Sequence, residues 1–178
     1  MAERGTTLAE LLVVLAVAAS VLALAVPGLS RQLLSSQISS VTNEFLAALH
    51  LARSEAVKRS SRAVVCPSSD GTHCSGDGWS KGWLIFHDVN NNAQRDEGEA
   101  VLHTRPSLPQ AISVMASKPI STYISYAATG GTLLVSGAWQ AGTLTLCGKA
   151  GSSQVARQIV INSTGRPRTT KPGTCPTP

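Results

Sequence analysis

The amino-acid sequence predicts an α+β protein in which a long N-terminal α-helix packs on a C-terminal antiparallel β-sheet domain. Three observations predict this fold. Residues 11–26 contain no charge, residues 30–62 carry apolar side chains at helical spacing, and the remainder consists of short β-like runs separated by Gly, Pro, Asn and Ser. An aromatic content of 4% also favours a small strand-and-loop domain over a helical bundle.

The first half of the predicted helix is long enough to cross a membrane. Residues 6–26 span about 31 Å as a helix, close to the roughly 30 Å hydrocarbon core of a bilayer. Glu10 stands near its start, where an ionisable group is costly unless it meets a partner. A secretory signal peptide, cut near Ala25, is one alternative, but the residues before the apolar run carry no net positive charge. A simple membrane anchor is another, and it leaves Glu10 unexplained.

Residues 30–62 continue the helix as an amphipathic segment. Its apolar residues recur at steps of three and four, which places them on one helix face: Leu34, Ile38, Val41, Phe45, Leu49, Ala52 and Ala56. Lys58, Arg59 and Arg62 follow, where the helix dipole favours cations. The two halves together predict a helix of about 54 residues, with a kink or local melting at Pro27.

Residues 63–178 are expected to form one β-rich globular domain with a basic tail. Seven runs predict strands: AVVC, GWLIFHD, AVLHT, TYISYA, TLLVSG, GTLTLCG and RQIVIN. The last eight residues, KPGTCPTP, are expected to be irregular and held mainly by Cys175.

Four cysteines in a chain with an export-type N-terminus predict two disulfides, and sequence alone permits three pairings. We favour Cys66 with Cys74, which closes a short loop, and Cys147 with Cys175, which attaches the C-terminal tail to the domain. A zinc site is the rival interpretation, but the sequence contains no C-x-x-C pair. We expect no metal and no cofactor.

Charge is distributed unevenly along the chain. All ten acidic residues lie at or before Glu99, and only cations follow: Arg105, Lys118, Lys149, Arg157, Arg166, Arg168 and Lys171. A surface of one sign attracts polyanions such as DNA. A solubility surface, or a face that meets acidic neighbours in an assembly, would produce the same imbalance.

The N-terminus resembles the processing site of type IV prepilins and pseudopilins in Gly5, Leu8, Glu10 and the apolar run that follows. The resemblance implies that a prepilin peptidase removes residues 1–5 and that the new N-terminus, Thr6, is then N-methylated. Thr6 and Ala9 depart from the Phe and Ile common in the family. It further implies that Glu10 neutralises the terminal ammonium of a neighbouring subunit, with residues 6–29 in the membrane and later in the filament core.

The segment GWLIFHDVNNNAQRDEGEAVL, residues 82–102, resembles the hairpin signature of the GspH/FimT minor pilins and pseudopilins. This resemblance implies a type IV pilin-like fold and a non-enzymatic subunit whose partners are other pilins. It also implies insertion in the bacterial inner membrane, with the domain in the periplasm, before assembly into a surface pilus.

The C-terminal segment GRPR resembles the Gly-Arg-x-Arg motif that the FimT branch uses to capture DNA for natural transformation. It comprises Gly165, Arg166, Pro167 and Arg168. Pro167 biases Arg166 towards an extended conformation, in which the two arginines project the same way about 6.5 Å apart.

We expect Arg166, Arg168, Lys171 and Lys149 to bind the DNA backbone without sequence preference, because the segment has neither a recognition helix nor aromatic residues to stack on bases. The alternative is a structural minor pseudopilin of a type II secretion system or of a pilus-priming complex, without DNA binding.

Two further motifs are weaker. Residues 88–99 place Asp88, Asn90, Asn92, Gln94, Asp96 and Glu99 at the ligand positions of a calcium loop, but the flanks read as strands and Ala93 stands where the turn needs Gly. Asn and Asp also suit a long hairpin loop for its own hydrogen bonds. Residues 78–82 match G-x-S-x-G, yet a strand follows where a nucleophile elbow needs a helix, which argues against a hydrolase.

Overall fold

The structure is a computed structural model that describes residues 7–148, 155–172 and 175, apart from the side chains of residues 24–27. Its main element is helix α1, Leu8–Arg59, which is 52 residues long. Thr7 caps its N-terminus in a capping box with Glu10. At the other end Ser60 adopts a left-handed conformation, and the Ser61 N–H donates to the Ala56 carbonyl, which closes the helix.

Helix α1 follows the predicted course with two differences. Its backbone stays helical through residue 27, so the local melting expected at Pro27 does not occur. It also ends at Arg59, and Arg62, expected at the end of the helix, instead begins the first strand. The left-handed turn at Ser60 explains the earlier boundary, because the chain leaves the helix axis there.

The two halves of α1 have different surroundings. In the first half large apolar side chains are exposed, from Leu8 at 76% to Leu29 at 59%. This half is long and apolar enough to cross a membrane. In the second half Ile38, Phe45 and Leu49 are fully buried, because their shared face packs on the β domain. Each such side chain stabilises the fold by about 1.5–3 kcal/mol.

The β domain contains eight strands. In chain order they are β1 Arg62–Pro67, β2 Trp83–Asp88, β3 Val101–Arg105, β4 Ile112–Ala116, β5 Ile124–Tyr126, β6 Gly142–Gly148, β7 Ala156–Ile161 and β8 Pro167–Thr170. They form two antiparallel four-stranded sheets, in the orders β3-β2-β1-β5 and β4-β6-β7-β8. Both sheets contact α1, so the buried face of the helix is the core that joins them.

The sequence prediction of the strands is correct for six of the seven runs. The run TLLVSG instead forms a tight turn with two isolated bridges, Tyr126 to Thr132 and Leu133 to Trp139. Strands β4 and β8 were missed. β8 contains Pro167 and three polar residues, a composition typical of a loop. Proline is tolerated in this strand because β8 is the edge of its sheet.

An aromatic cluster fills the centre of the core. The ring centroid of Phe45 lies 5.2 Å from that of Trp79 and 4.6 Å from that of Trp83. The Trp79 indole N–H donates to the Ile120 carbonyl at 3.1 Å. Gly82, which precedes β2, has no room for a Cβ, because that atom would overlap the Arg105 carbonyl oxygen at the end of β3. The Gly-Trp pair of the predicted hairpin signature therefore serves close strand packing.

Candidate functional site

The β2–β3 connection, residues 88–99, is named here the hairpin loop. The buried Asp88 carboxylate accepts hydrogen bonds from the backbone N–H groups of Asn92 and Ala93, at 3.1 and 3.0 Å. Arg62 lies 3.9 Å from the same carboxylate. Ala93 adopts the left-handed conformation, with φ 58°, where a calcium loop has glycine. The Asp88 oxygens thus hold the loop's own backbone.

The other two carboxylates expected in the calcium pattern are used in the same way. Glu99 accepts from the N–H groups of Val89 and Asp96, at 2.8 and 3.1 Å. The side-chain amides of Asn90 and Asn92 donate to Asp96, which lowers the pKa of that carboxyl. Within the described ranges, no three Asp, Glu, His or Cys side chains converge as metal ligands.

Both disulfides predicted from the sequence are present. Cys66 in β1 joins Cys74 with a Cα–Cα distance of 5.5 Å, and we call this the loop disulfide. Cys147 in β6 joins Cys175 at 5.9 Å, and we call this the tail disulfide. In the loop between Cys66 and Cys74, Asp70 accepts from the backbone of His73 and Thr72, which holds its pKa well below the usual range.

At the start of α1, the Glu10 carboxylate stays within its own chain. It accepts from the backbone N–H of Thr7 at 2.9 Å and from the Thr7 hydroxyl at 3.0 Å. The residues predicted to flank the cleavage site, Gly5 and Thr6, lie outside the described residues, and so does Lys149 from the predicted DNA-binding set.

The Gly165-Arg166 segment is held by a turn that sequence analysis did not identify. The Asn162 carbonyl accepts from the Gly165 N–H at 2.9 Å, and the Asn162 side-chain oxygen accepts from the Arg166 N–H at 3.2 Å. Gly165 has φ 73°, and a Cβ there would overlap the Gly130 carbonyl oxygen. This turn, rather than the tail disulfide alone, fixes where Arg166 leaves the domain.

Beyond the turn, the chain pairs with β7 as the edge strand β8. Arg168 lies opposite Val160, and Thr169 lies opposite the buried Ile159. Successive strand residues face opposite sides of a sheet, so Arg168 and Thr169 point away from each other. The segment predicted as an extended loop is therefore a strand from Pro167 onwards, with Arg168 on the face away from α1.

The opposite face of the same edge forms an open polar groove against α1. It has a volume of about 400 Å³, and its lining includes Arg157, Thr169, Lys171 and Asn43. The Arg157 guanidinium donates one bond to the Ala156 carbonyl at 3.0 Å, and no other acceptor among the described residues engages its remaining donors. Lys171 was predicted as a phosphate-binding residue, whereas Arg157 was not. Arg157 and the buried Ile159 are two residues apart in a strand and therefore lie on the same face of the sheet. This spacing was the sequence signal that Arg157 faces the helix.

Some cations of the domain have acidic partners and others do not. Arg59 binds Glu55 at 2.7 Å and Arg105 binds Glu44 at 2.9 Å. By contrast, no hydrogen bond or salt bridge to another described residue engages the exposed side chains of Arg166, Arg168 or Lys171. We call these three residues and Arg157 the basic strip. In the described part of the chain none of these four cations forms a salt bridge with an acidic residue.

The basic strip follows the β8 edge of the second sheet, between two levels of α1. At one end Gly165 touches Gly130, and a Cβ on Gly130 would contact the Arg53 guanidinium at 3.1 Å. At the other end Lys171 shares the polar groove with Ser39. Arg53 and Ser39 are about 21 Å apart along a helix axis. Arg166 therefore lies at the end of the domain farthest from the apolar half of α1.

The architecture defines the class of this protein. A helix that is apolar and exposed in its first half and packed on an antiparallel β domain in its second is the fold of type IV pilins. The sequence matches the GspH family, described as type II transport protein GspH, over residues 41–165. The chain belongs to this family, and the family and fold predicted from the sequence are confirmed.

Two solved structures of the Pseudomonas aeruginosa type IV minor pilin FimU are similar to the chain. In one crystal form the TM-score is 0.59 at 20% identity, over 79% of this chain and 96% of FimU. In the other crystal form the TM-score is 0.55 at 21% identity, over 77% of this chain and 98% of FimU. At this identity the likeness concerns the fold. No curated protein sequence matches the chain.

Proposed function

We propose that this protein is a non-enzymatic minor type IV pilin that binds DNA along the basic strip, for DNA uptake in natural transformation. One observation carries the proposal: Arg166, Arg168 and Lys171 are exposed cations without an acidic partner in the described part of the chain. Guanidinium groups suit phosphate oxygens, and unpaired ones lose no existing ion pair on binding.

The geometry of an edge strand supports contact with a duplex. Residues at the edge of a sheet project to both faces and leave one side of the backbone open. A DNA backbone that lies along β8 can therefore contact Arg168 on one face of the sheet. On the other face its phosphates can contact Arg157 and Lys171 in the polar groove. In the groove, the Thr169 hydroxyl and the Asn43 amide add neutral donors.

The proposed life cycle follows from the N-terminus. Prepilin peptidase cleaves after Gly5, the apolar half of α1 anchors the chain in the inner membrane with the domain in the periplasm, and assembly with other pilins then places the domain at the cell surface. Glu10 assists assembly through the ammonium of a neighbouring Thr6. Before that contact forms, its capping bonds to Thr7 supply a partner within the chain.

A second candidate is a structural pseudopilin of a type II secretion system or of a pilus-priming complex, without DNA binding. The match to type II transport protein GspH favours it. On this view the basic strip meets acidic surfaces of neighbouring subunits.

Salt-dependent binding of DNA separates the two functions. We would measure fluorescence anisotropy of a labelled duplex of about 20 base pairs with the full chain in non-ionic detergent. Four phosphate contacts predict a slope of log affinity against log salt near −3.6. Changing Arg166→Gln and Arg168→Gln together should weaken binding strongly and flatten the slope by about 2.

The matched control removes two charges elsewhere. Lys81 and Lys118 are exposed, and Lys118 follows β4, the opposite edge of the second sheet from β8. The double change to Gln should leave affinity at 0.1 M salt within about twofold, because Lys81 lies beside Ile112 of β4 and β4 is about 14 Å from β8, beyond the Debye length of about 10 Å. Equal losses in both double variants would mean that diffuse charge holds DNA. Absence of binding at low salt would favour the structural pseudopilin.

A further inference from the structure

Trp139 differs from every other aromatic residue of the chain. The sequence has seven aromatic residues, all within the described ranges. Trp139 is 70% exposed, and the other six are buried or half-buried: Phe45, Trp79, Trp83, Phe86, Tyr123 and Tyr126. Its indole ring is therefore accessible for stacking on a planar partner, which the other aromatic rings are not.

The fold holds Trp139 beside the start of the basic strip. Trp139 bridges to Leu133 across a turn, and Thr132 at the base of that turn bonds to the carbonyls of Asn162 and Ser163, at 3.0 and 3.1 Å. A Cβ built on Gly131 would lie 3.1 Å from the Ser163 oxygen and 3.7 Å from the Trp139 ring. The indole edge therefore adjoins the turn that fixes Arg166.

An exposed ring next to unpaired cations is the combination that binds single-stranded nucleic acid. Bases stack on the ring while the backbone follows the cations, and any base suffices because each has a π-face. In a closed duplex the bases stack on each other and are not available to a surface indole. Trp139 thus adds a preference for unpaired DNA that the basic strip alone does not have.

We propose that Trp139 is a stacking platform for an unpaired base at a single-stranded segment or open end of the DNA whose phosphates contact Arg166. The proposal rests on the proposed function, because it uses the same strip. A protein contact is less suited to this position. On the turn that carries Trp139, Val135 is the other exposed large apolar side chain, and the cations Arg166 and Arg53 adjoin Gly165 and Gly130 at its base. A patch of two residues is small for a protein interface.

The test compares two probes of equal length with the full chain in non-ionic detergent. One is labelled oligo-dT, which has no secondary structure, and the other is a duplex closed by hairpin caps at both ends. Trp139→Ala should weaken oligo-dT binding by about 5- to 100-fold and leave affinity for the capped duplex within about twofold. Trp139→Phe should retain most oligo-dT affinity, because a phenyl ring still stacks.

Intrinsic fluorescence gives a second readout. Trp79 and Trp83 are 1% and 0% exposed, so quenching of tryptophan emission by oligo-dT reports on Trp139. The parent should be quenched and Trp139→Ala should not. The melting temperature of Trp139→Ala should match the parent, because the side chain lies outside the core.

Each other outcome overturns the inference in a distinguishable way. Unchanged oligo-dT affinity in Trp139→Ala, or equal losses with both probes, would show that the ring does not stack on an unpaired base. Loss of pilus assembly with oligo-dT binding intact would assign Trp139 to a protein contact. If the parent binds the capped duplex but not oligo-dT, the inference fails and the proposed function stands. If the parent binds neither probe, both fail.

Discussion

Replacing Gly165 by Ala tests whether the Gly130 contact builds the turn before Arg166. Two costs add at this position. An alanine in the left-handed conformation costs about 1–2 kcal/mol. Its Cβ would also overlap the Gly130 carbonyl oxygen, so one backbone segment must move, at a further cost of about 1–3 kcal/mol. We expect the free energy of unfolding to fall by about 2–5 kcal/mol.

Gly137 provides the matched control. It has φ 84° and no heavy atom within 4 Å of a built Cβ, so Gly137→Ala carries the conformational cost without the overlap. Its expected loss is about 1–2 kcal/mol. At roughly 4 °C per kcal/mol for a domain of this size, Gly165→Ala should melt about 8–20 °C below the parent and Gly137→Ala about 4–8 °C below.

Thermal unfolding followed by tryptophan emission is a suitable assay, because Trp79 and Trp83 lie in the core beside Phe45. The full chain in non-ionic detergent, with disulfides intact, keeps the helix and domain together. Equal melting temperatures for Gly165→Ala and Gly137→Ala would refute the reasoning, because the Gly130 contact would then have no energetic consequence.

Three other measurements test the remaining assignments. Intact mass of the protein from its native host should give a chain that begins at Thr6, whereas a start at Val26 would indicate a signal peptide. Non-reducing peptide maps should contain the loop and tail disulfides, which contribute about 2.5 and 3.5 kcal/mol by loop closure, and a link from Cys66 to Cys147 would contradict that pairing. Chelator should leave the melting temperature unchanged, and a rise of several degrees in millimolar calcium would show that the hairpin loop binds the ion.

The sequence predicted the large elements well for physical reasons. The long helix was evident because apolar residues such as Ile38, Phe45 and Leu49 follow the helical period and are buried by one face. Strands β2 and β6 were evident because they are long and mostly apolar. Helix α1 and strand β6 show the side-chain period of their backbone, whereas β2 was evident as a short continuous apolar run between turn residues.

What the sequence could not show depends on contacts between distant segments. Strand β8 has no apolar pattern, because an edge strand with Pro167 is held by pairing with β7 and contributes little to the core. The division into two sheets follows from which strands pair, and short polar strands do not encode that locally. Trp139 and Arg166 are 27 residues apart in the sequence, and their segments meet where the turn at Asn162–Gly165 contacts Thr132 and Gly130.

The cation in β8 also has a second physical explanation, which concerns the edge of the sheet. A free sheet edge invites pairing with another chain, and Pro167 and Arg168 are the kinds of residue that discourage it. That explanation covers Arg168, which lies in the strand, and it does not extend to Arg166, which precedes the strand on a turn built around Gly165.

The position of Arg166 also places the proposed DNA contact far from the part of α1 through which a pilin assembles into a filament. A pilin is held in its filament through the apolar first half of α1, and Arg166 lies at the opposite end of the domain, beside the level of Arg53. In the proposed filament, a ligand bound there would not compete with helix packing. A cation whose purpose was to meet neighbouring subunits would be better placed nearer that half, where Lys171 and Arg157 lie beside Ser39. Arg166 is therefore the residue that discriminates most sharply between a DNA-binding pilin and a structural pseudopilin.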